Sequence, residues 1–183
     1  MSNQKQITPL TPQLGENHLA EIKLSSDDID LMELEEKATQ EGFKRNNDFH
    51  ITIMGFESAD ALKGVLSKLN QTGQNGLMKK IEDLFQVLNW SFKLSQRYHI
   101  KKSGQFDSKH DRTEDRESYI QLVYLPSMEK FYKRLNKLLK TSLPTQVPHV
   151  TLFTKGEYKN PDYYGIPIHS KEEFDSLDPV IIE

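Results

Sequence analysis

The chain is 183 residues long, 36% hydrophobic and 28% charged, which suits one domain able to bury a core of its own. It has no cysteine, and this excludes disulfides, thiol nucleophiles and Cys-ligated zinc. With a formal net charge of −3 the surface as a whole is not a polyanion-binding face, and a small nucleotide or the end of an RNA fits this balance better than a long duplex, which usually requires a basic footprint. No stretch is apolar enough to span a bilayer and the polar N-terminus lacks a signal-peptide core, so an intracellular location with no membrane partner is expected.

Residues 1–18 are polar, contain Pro9 and Pro12 and show no periodicity, so they read as a flexible arm before a single domain over 19–183. Leu19 to Leu24 alternates as an edge strand. Ser26 is placed to cap a helix over 27–41 whose inner face is Ile29, Leu31, Leu34 and Ala38, with Gly42 ending it. A strand over 49–55 stops near Gly55. Helices follow at 58–70 and 77–89, with 71–76 (Gln-Thr-Gly-Gln-Asn-Gly) as the loop between them. Residues 90–102 alternate as strand, and 103–118 form a polar, mixed-charge insert expected to be a solvated hairpin loop. A strand at 119–125 leads through Pro126 and Ser127 into a helix over 128–140. That helix buries Met128, Phe131, Leu135, Leu138 and Leu139 and turns Lys130, Lys133, Arg134, Lys137 and Lys140 outward. A strand at 147–154, a short strand at 165–168, a helix at 171–177 capped by Ser170 and a strand at 180–182 complete the chain. Strands with nearby antiparallel partners, interspersed with helices, define the class α+β.

Two of these strands share one design. The first carries His50-Ile51-Thr52-Ile53 and the second His149-Val150-Thr151-Leu152. In a strand, residues i and i+2 point to one face. Each segment therefore sets an imidazole beside a hydroxyl on one side and aliphatic groups on the other. A single such pair is an ordinary strand pattern; two copies propose a site.

The paired motifs, HITI at 50–53 and HVTL at 149–152, resemble those of the 2H phosphoesterase superfamily, which includes the 2′-5′ RNA ligase-like proteins and the cyclic nucleotide phosphodiesterases of RNA processing. The resemblance covers most of the chain from about residue 20. The histidines are 99 residues apart, a long spacing that the 103–118 insert accounts for. What the resemblance implies is a bilobal fold, two antiparallel sheets related by a pseudo-twofold axis with helices outside, each lobe lending one His-x-Thr strand to a central cleft.

Two imidazoles facing one phosphodiester can divide acid and base work between them, because the ordinary histidine pKa lies near 6.5. Thr52 and Thr151 are then the groups that hydrogen-bond the non-bridging phosphate oxygens. Neither motif has a carboxylate at metal-ligand spacing, so no metal and no cofactor are expected. Asp48, two residues before His50, either orients that imidazole or stands as a strand-edge charge. Met54 and Phe153 continue the parity of the pocket face, and Tyr98 and Tyr124 lie on neighbouring strands. These four, with Tyr119, are candidates for flanking or stacking on a base. Arg97, His99 and Lys101 share a face suited to a terminal phosphate or to water, and the basic face of helix 128–140 is either solvated or steers phosphate. His18, His110 and His169 receive no role. The expected activity is cleavage of a 2′,3′-cyclic or 2′-5′-linked phosphodiester in a nucleotide or RNA end by a monomer. A non-catalytic nucleotide- or RNA-binding module, or a reversible 2′-5′ RNA ligase, would use the same residues. Which histidine is acid and which is base stays open at this stage.

Overall fold

The computed structural model describes residues 10–107, 111–156 and 165–182. Among them lie eight strands and five α-helices: β1 (Gln13–Leu14), β2 (Ala20–Lys23), α1 (Met32–Gln40), β3 (Lys44–Arg45), β4 (His50–Met54), α2 (Phe56–Leu66), α3 (Gln71–Val87), β5 (Lys93–Asp107), β6 (Arg112–Tyr124), α4 (Ser127–Leu139), β7 (His149–Gly156), α5 (Lys171–Ser176) and β8 (Val180–Ile182). The fold is α+β with two antiparallel sheets, ordered β1-β2-β4 and β3-β7-β6-β5-β8. The arm expected over 1–18 lies partly outside the described residues; within it, Gln13 and Leu14 pair with Glu21 and Ala20.

One segment ties the sheets together. Lys44 and Arg45 pair with Thr154 and Phe153 of β7 in the large sheet, and the Asn46 N–H donates to the Leu152 carbonyl. A few residues later the same chain leaves β7 and pairs with β2, His50 standing opposite Lys23. The two motif strands thus diverge from a shared base.

The main core lies between the sheets and the helices. It includes Ile22, Ile51, Ile53, Leu62, Ile81, Phe131, Leu135, Val150 and Leu152, all essentially without solvent exposure. A smaller core covers the other face of the large sheet, where Ile100 and Ile120 meet Ile166, Ile168, Phe174 and Leu177. The segment expected as a strand at 165–168 is irregular, and it packs by alternate insertion of Ile166 and Ile168.

Three expectations fail here, each for a local reason. The helix expected over 27–41 is divided. Ser25, not Ser26, caps a single 3₁₀ turn through a reciprocal bond with Asp28; Ile29 is extended, and Ile29 and Leu31 are both buried before α1 begins at Met32. The loop expected at 71–76 is the first part of α3. The Asn70 side chain accepts the Gly73 N–H at 2.9 Å, and this cap outweighs the low helix propensity of two glycines. The polar insert 103–118 is mostly strand, with β5 running to 107 and β6 starting at 112. Its buried face carries charges rather than aliphatic groups. Glu114 is buried with Arg116, whose Nε donates to Oε1 at 2.7 Å, and Arg112 stands 3.6 Å from the other oxygen.

A buried carboxylate of this kind is costly to remove because its guanidinium partner stays behind. Glu114→Ala is expected to lower the unfolding free energy by about 3–5 kcal/mol, read from the urea midpoint at unchanged slope.

Candidate active site

His50 and Thr52 project from one face of β4, and His149 and Thr151 from one face of β7. All four are half-buried, while Ile51, Ile53, Val150 and Leu152 behind them are fully buried. The two imidazoles are anchored alike. His50 Nδ1 lies 3.0 Å from the Asp48 carbonyl and His149 Nδ1 lies 2.8 Å from the Val147 carbonyl, in each case two residues back along the chain. A carbonyl only accepts, so each Nδ1 carries the proton and donates it, and each Nε2 is turned to the cleft. Neither threonine hydroxyl has a hydrogen-bond partner among the described residues.

Both strands also break register at the same motif position. On β4, Glu21 pairs with Thr52 but Ala20 pairs with Met54, leaving Ile53 as the extra residue. On β7, Ile120 pairs with Thr151 but Tyr119 pairs with Phe153, leaving Leu152 as the extra residue. A bulge shifts the side-chain parity by one. Beyond it, Met54 and Phe153 turn away from the pocket into the main core with almost no exposure, so neither is free to meet a ligand. Their assignment as base-flanking residues is corrected on that ground.

The surroundings of the two histidines differ. On the small sheet, Glu21 and Lys23 sit directly opposite Thr52 and His50. A Glu21 carboxylate oxygen is 3.6 Å from His50 Nε2, placed to pair with the imidazolium form, and Asp48 Oδ2 is 3.5 Å from Nδ1. Lys23 Nζ lies 2.8 Å from Asp48 and 3.0 Å from Glu21. For Lys23, burial is outweighed by these two carboxylates, which hold the ammonium above its ordinary value. For Asp48, burial is outweighed by Lys23 and His50, which hold the carboxyl below its own. Glu21, Asp48 and His50 also bring three possible ligand atoms within 4.8 Å of one another, a grouping that motif spacing does not disclose. The Lys23 ammonium already answers the charge of its two carboxylates.

His149 has a less polar setting, paired with Leu122. Burial lowers its pKa below the ordinary 6.5; the Val147 carbonyl opposes this, and the charge of His50 across the cleft adds to the lowering. The Asn46 side-chain amide joins the two motif strands, donating to the Asp48 and Thr151 carbonyls.

The aromatic candidates separate by face. In the large sheet Thr151, Ile120 and Tyr98 form one row, and His149 pairs with Leu122. Tyr98 is therefore on the site-bearing face, half-buried and edge-on to Phe174. Tyr124, two residues beyond Leu122 on that face, is 63% exposed. Tyr119 is on the opposite face, stacked on Phe43 and hydrogen-bonded to Glu41. Arg97, His99 and Lys101 share that opposite face: Arg97 reaches the Asp30 carbonyl, and His99 and Lys101 hold Glu117 at 2.8 and 3.2 Å. The lysines of α4 and Arg134 point outward to solvent. His18 is a positive-φ turn residue, and His110 lies outside the described residues.

Beyond the motifs, Gly55 and Gln146 border a cleft near the start of α2. Ser58 Oγ is 3.0 Å from the Tyr132 hydroxyl, which donates to Gln146 Oε1 at 3.2 Å. Burial pushes the Tyr132 phenol up to about 12. His169 faces Glu57 at 3.7 Å on the rim. Glu21, Lys23, Gln146 and His169 are the site residues that sequence inspection missed. Their places depend on pairing between distant segments, and only the alternation of Glu21 and Lys23 with Ala20 and Ile22 hinted at a polar face.

Comparison with protein-family models, with curated proteins and with solved structures finds no match. No helix is long and apolar enough to cross a membrane among the described residues.

If Phe153 is core rather than ligand contact, Phe153→Ala should cost about 3–5 kcal/mol of stability in urea unfolding, comparable to other buried aromatic truncations. A loss below about 1 kcal/mol would return it to the site.

Proposed function

We propose that the cleft between β4 and β7 is the active site of a metal-independent 2H-type phosphodiesterase. Its substrate on this reading is a 2′,3′-cyclic or 2′-5′-linked phosphodiester in a nucleotide or RNA end. The observation that carries the proposal is the duplication itself: two His-x-Thr pairs with matching Nδ1 anchors and matching bulges, on strands that the Asn46 side chain bridges. The same correspondence supports two lobes related by a pseudo-twofold axis.

The unlike settings of the histidines support a division of labour. His149, held neutral by burial, presents a basic Nε2 and takes the proton from the attacking water. His50 presents Nε2–H beside Glu21, with Nδ1–H on the Asp48 carbonyl, and delivers a proton to the departing ribose oxygen. The new P–O bond comes from water and the broken one is to the ribose, so the protein ends with the proton moved from His50 to His149. Thr52 and Thr151 donate to the non-bridging oxygens as their charge grows. The exposed Tyr124 and the half-buried Tyr98 offer aromatic surface on the same face of the large sheet.

Turnover should persist in EDTA; its loss there would instead make Glu21, Asp48 and His50 a metal group. Single His50→Ala and His149→Ala variants should each lower kcat by about 10²–10⁴-fold with folding intact, and Thr52→Val or Thr151→Val by about 10²-fold. Nucleotide binding without turnover in the wild-type protein would favour a binding module.

The pH profile tests the roles separately. A base whose pKa is lowered stays active below its ordinary value, so the acid limb of kcat/KM should fall below pH 6.5. An acid limb above 6.5 would remove His149 from the role of base.

A further inference from the structure

The cleft beside Gly55 and Gln146 contains polar capacity that the proposed chemistry leaves unused. It is a shallow, open cleft with room for about one water-sized group, about 10 Å³, and its lining includes Gly55, Glu57, Ser58, Tyr132, Gln146 and His169. Gln146 is only 6% exposed. Its Oε1 accepts from Tyr132, while its Nε2 has no partner among the described residues and stays reachable from the cleft, so its N–H groups are available to a bound oxygen. The amide lies directly over Gly55: a Cβ there would stand 3.2 Å from Nε2. Gly55 is also the residue from which the eleven-residue α2 starts, so the free backbone N–H groups of its first turn open into the same space.

The cleft is therefore a donor site, and its charge says which kind of oxygen it suits. Among the described residues neither lysine nor arginine lines it, and the Glu57 carboxylate stands at its rim beside His169. A phosphate would meet that carboxylate without a full countercharge; an uncharged acceptor would not. Position supplies the rest. Gly55 is three residues past Thr52 and Gln146 three residues before His149, roughly 10 Å along extended chain in each case. His169 follows Ile168, which packs on the same face of the large sheet as Leu122 and Val147, beside His149.

We propose that this cleft is a nucleobase subsite that binds an exocyclic carbonyl oxygen through the Gln146 amide and the start of α2. The assignment rests on the phosphodiesterase function proposed above. It confers preference for uracil, cytosine, guanine and hypoxanthine over adenine, which has no such oxygen. A buried donor left unpaired is the penalty that rejects the wrong base.

The test compares inosine and adenosine substrates, which differ at C6 by a carbonyl against an amino group, as 2′,3′-cyclic phosphates and as 2′-5′ dinucleotides. The wild-type kcat/KM should favour inosine by about tenfold or more, and Gln146→Met should bring the inosine-to-adenosine ratio to within about twofold. Should Gln146→Met fail to fold, the wild-type ratio, repeated with uridine against adenosine, still decides. Equal turnover of inosine and adenosine overturns the subsite and leaves the diesterase intact. No turnover of any diester overturns the diesterase and the subsite with it.

Discussion

Each motif strand must give two polar side chains to a cleft and nearly everything else to a core, and a regular strand cannot do this at its end. Strict alternation would send the residue two past the threonine back into the cleft, where a Met or Phe would fill the space a substrate needs. The extra residue at Ile53 and at Leu152 reverses the parity at that point. Two consecutive side chains then enter the core from each strand, and Ile53, Met54, Leu152 and Phe153 all have almost no exposure. Burial of four such groups contributes on the order of 1.5–3 kcal/mol each, and it holds the strands that carry the imidazoles. The filling of the core and the separation of the two strand faces follow from one backbone irregularity used twice.

The duplication stops short of equivalence. His50 lies among Glu21, Lys23 and Asp48 at an edge of the small sheet, whereas His149 lies beside Leu122 in the interior of the large one. Burial lowers the His149 pKa and so favours its neutral ring.

The parts of the fold legible in the sequence are those in which side-chain period and burial agree. Strands β4 and β7, helix α4 and the capped α5 are of this kind, and so is the pairing of His with Thr on one face. The bulges left no compositional trace, because isoleucine, methionine, leucine and phenylalanine suit either parity; hence Met54 and Phe153 were assigned to the wrong side. The ribbon over 103–118 was misread because the buried face of β6 there carries Glu114 and Arg116, and a charged pair imitates a solvated loop. Asn70 masked the start of α3 in the same manner, since a cap followed by glycines resembles a turn. The carboxylates around His50 and the amide of Gln146 became visible only with the register between β2 and β4 and the packing of residue 146 on Gly55.

The segment from Lys44 to Met54 belongs to both sheets in succession, like the spine to which the two covers of a book are sewn. Any gaping of the covers must turn about that spine. His50 lies only four residues from Asn46, whose side chain and backbone are tied to Thr151 and Leu152. Atoms close to a fold line travel little when the covers swing, whereas atoms farther out, near Gly55 and Gln146, travel more.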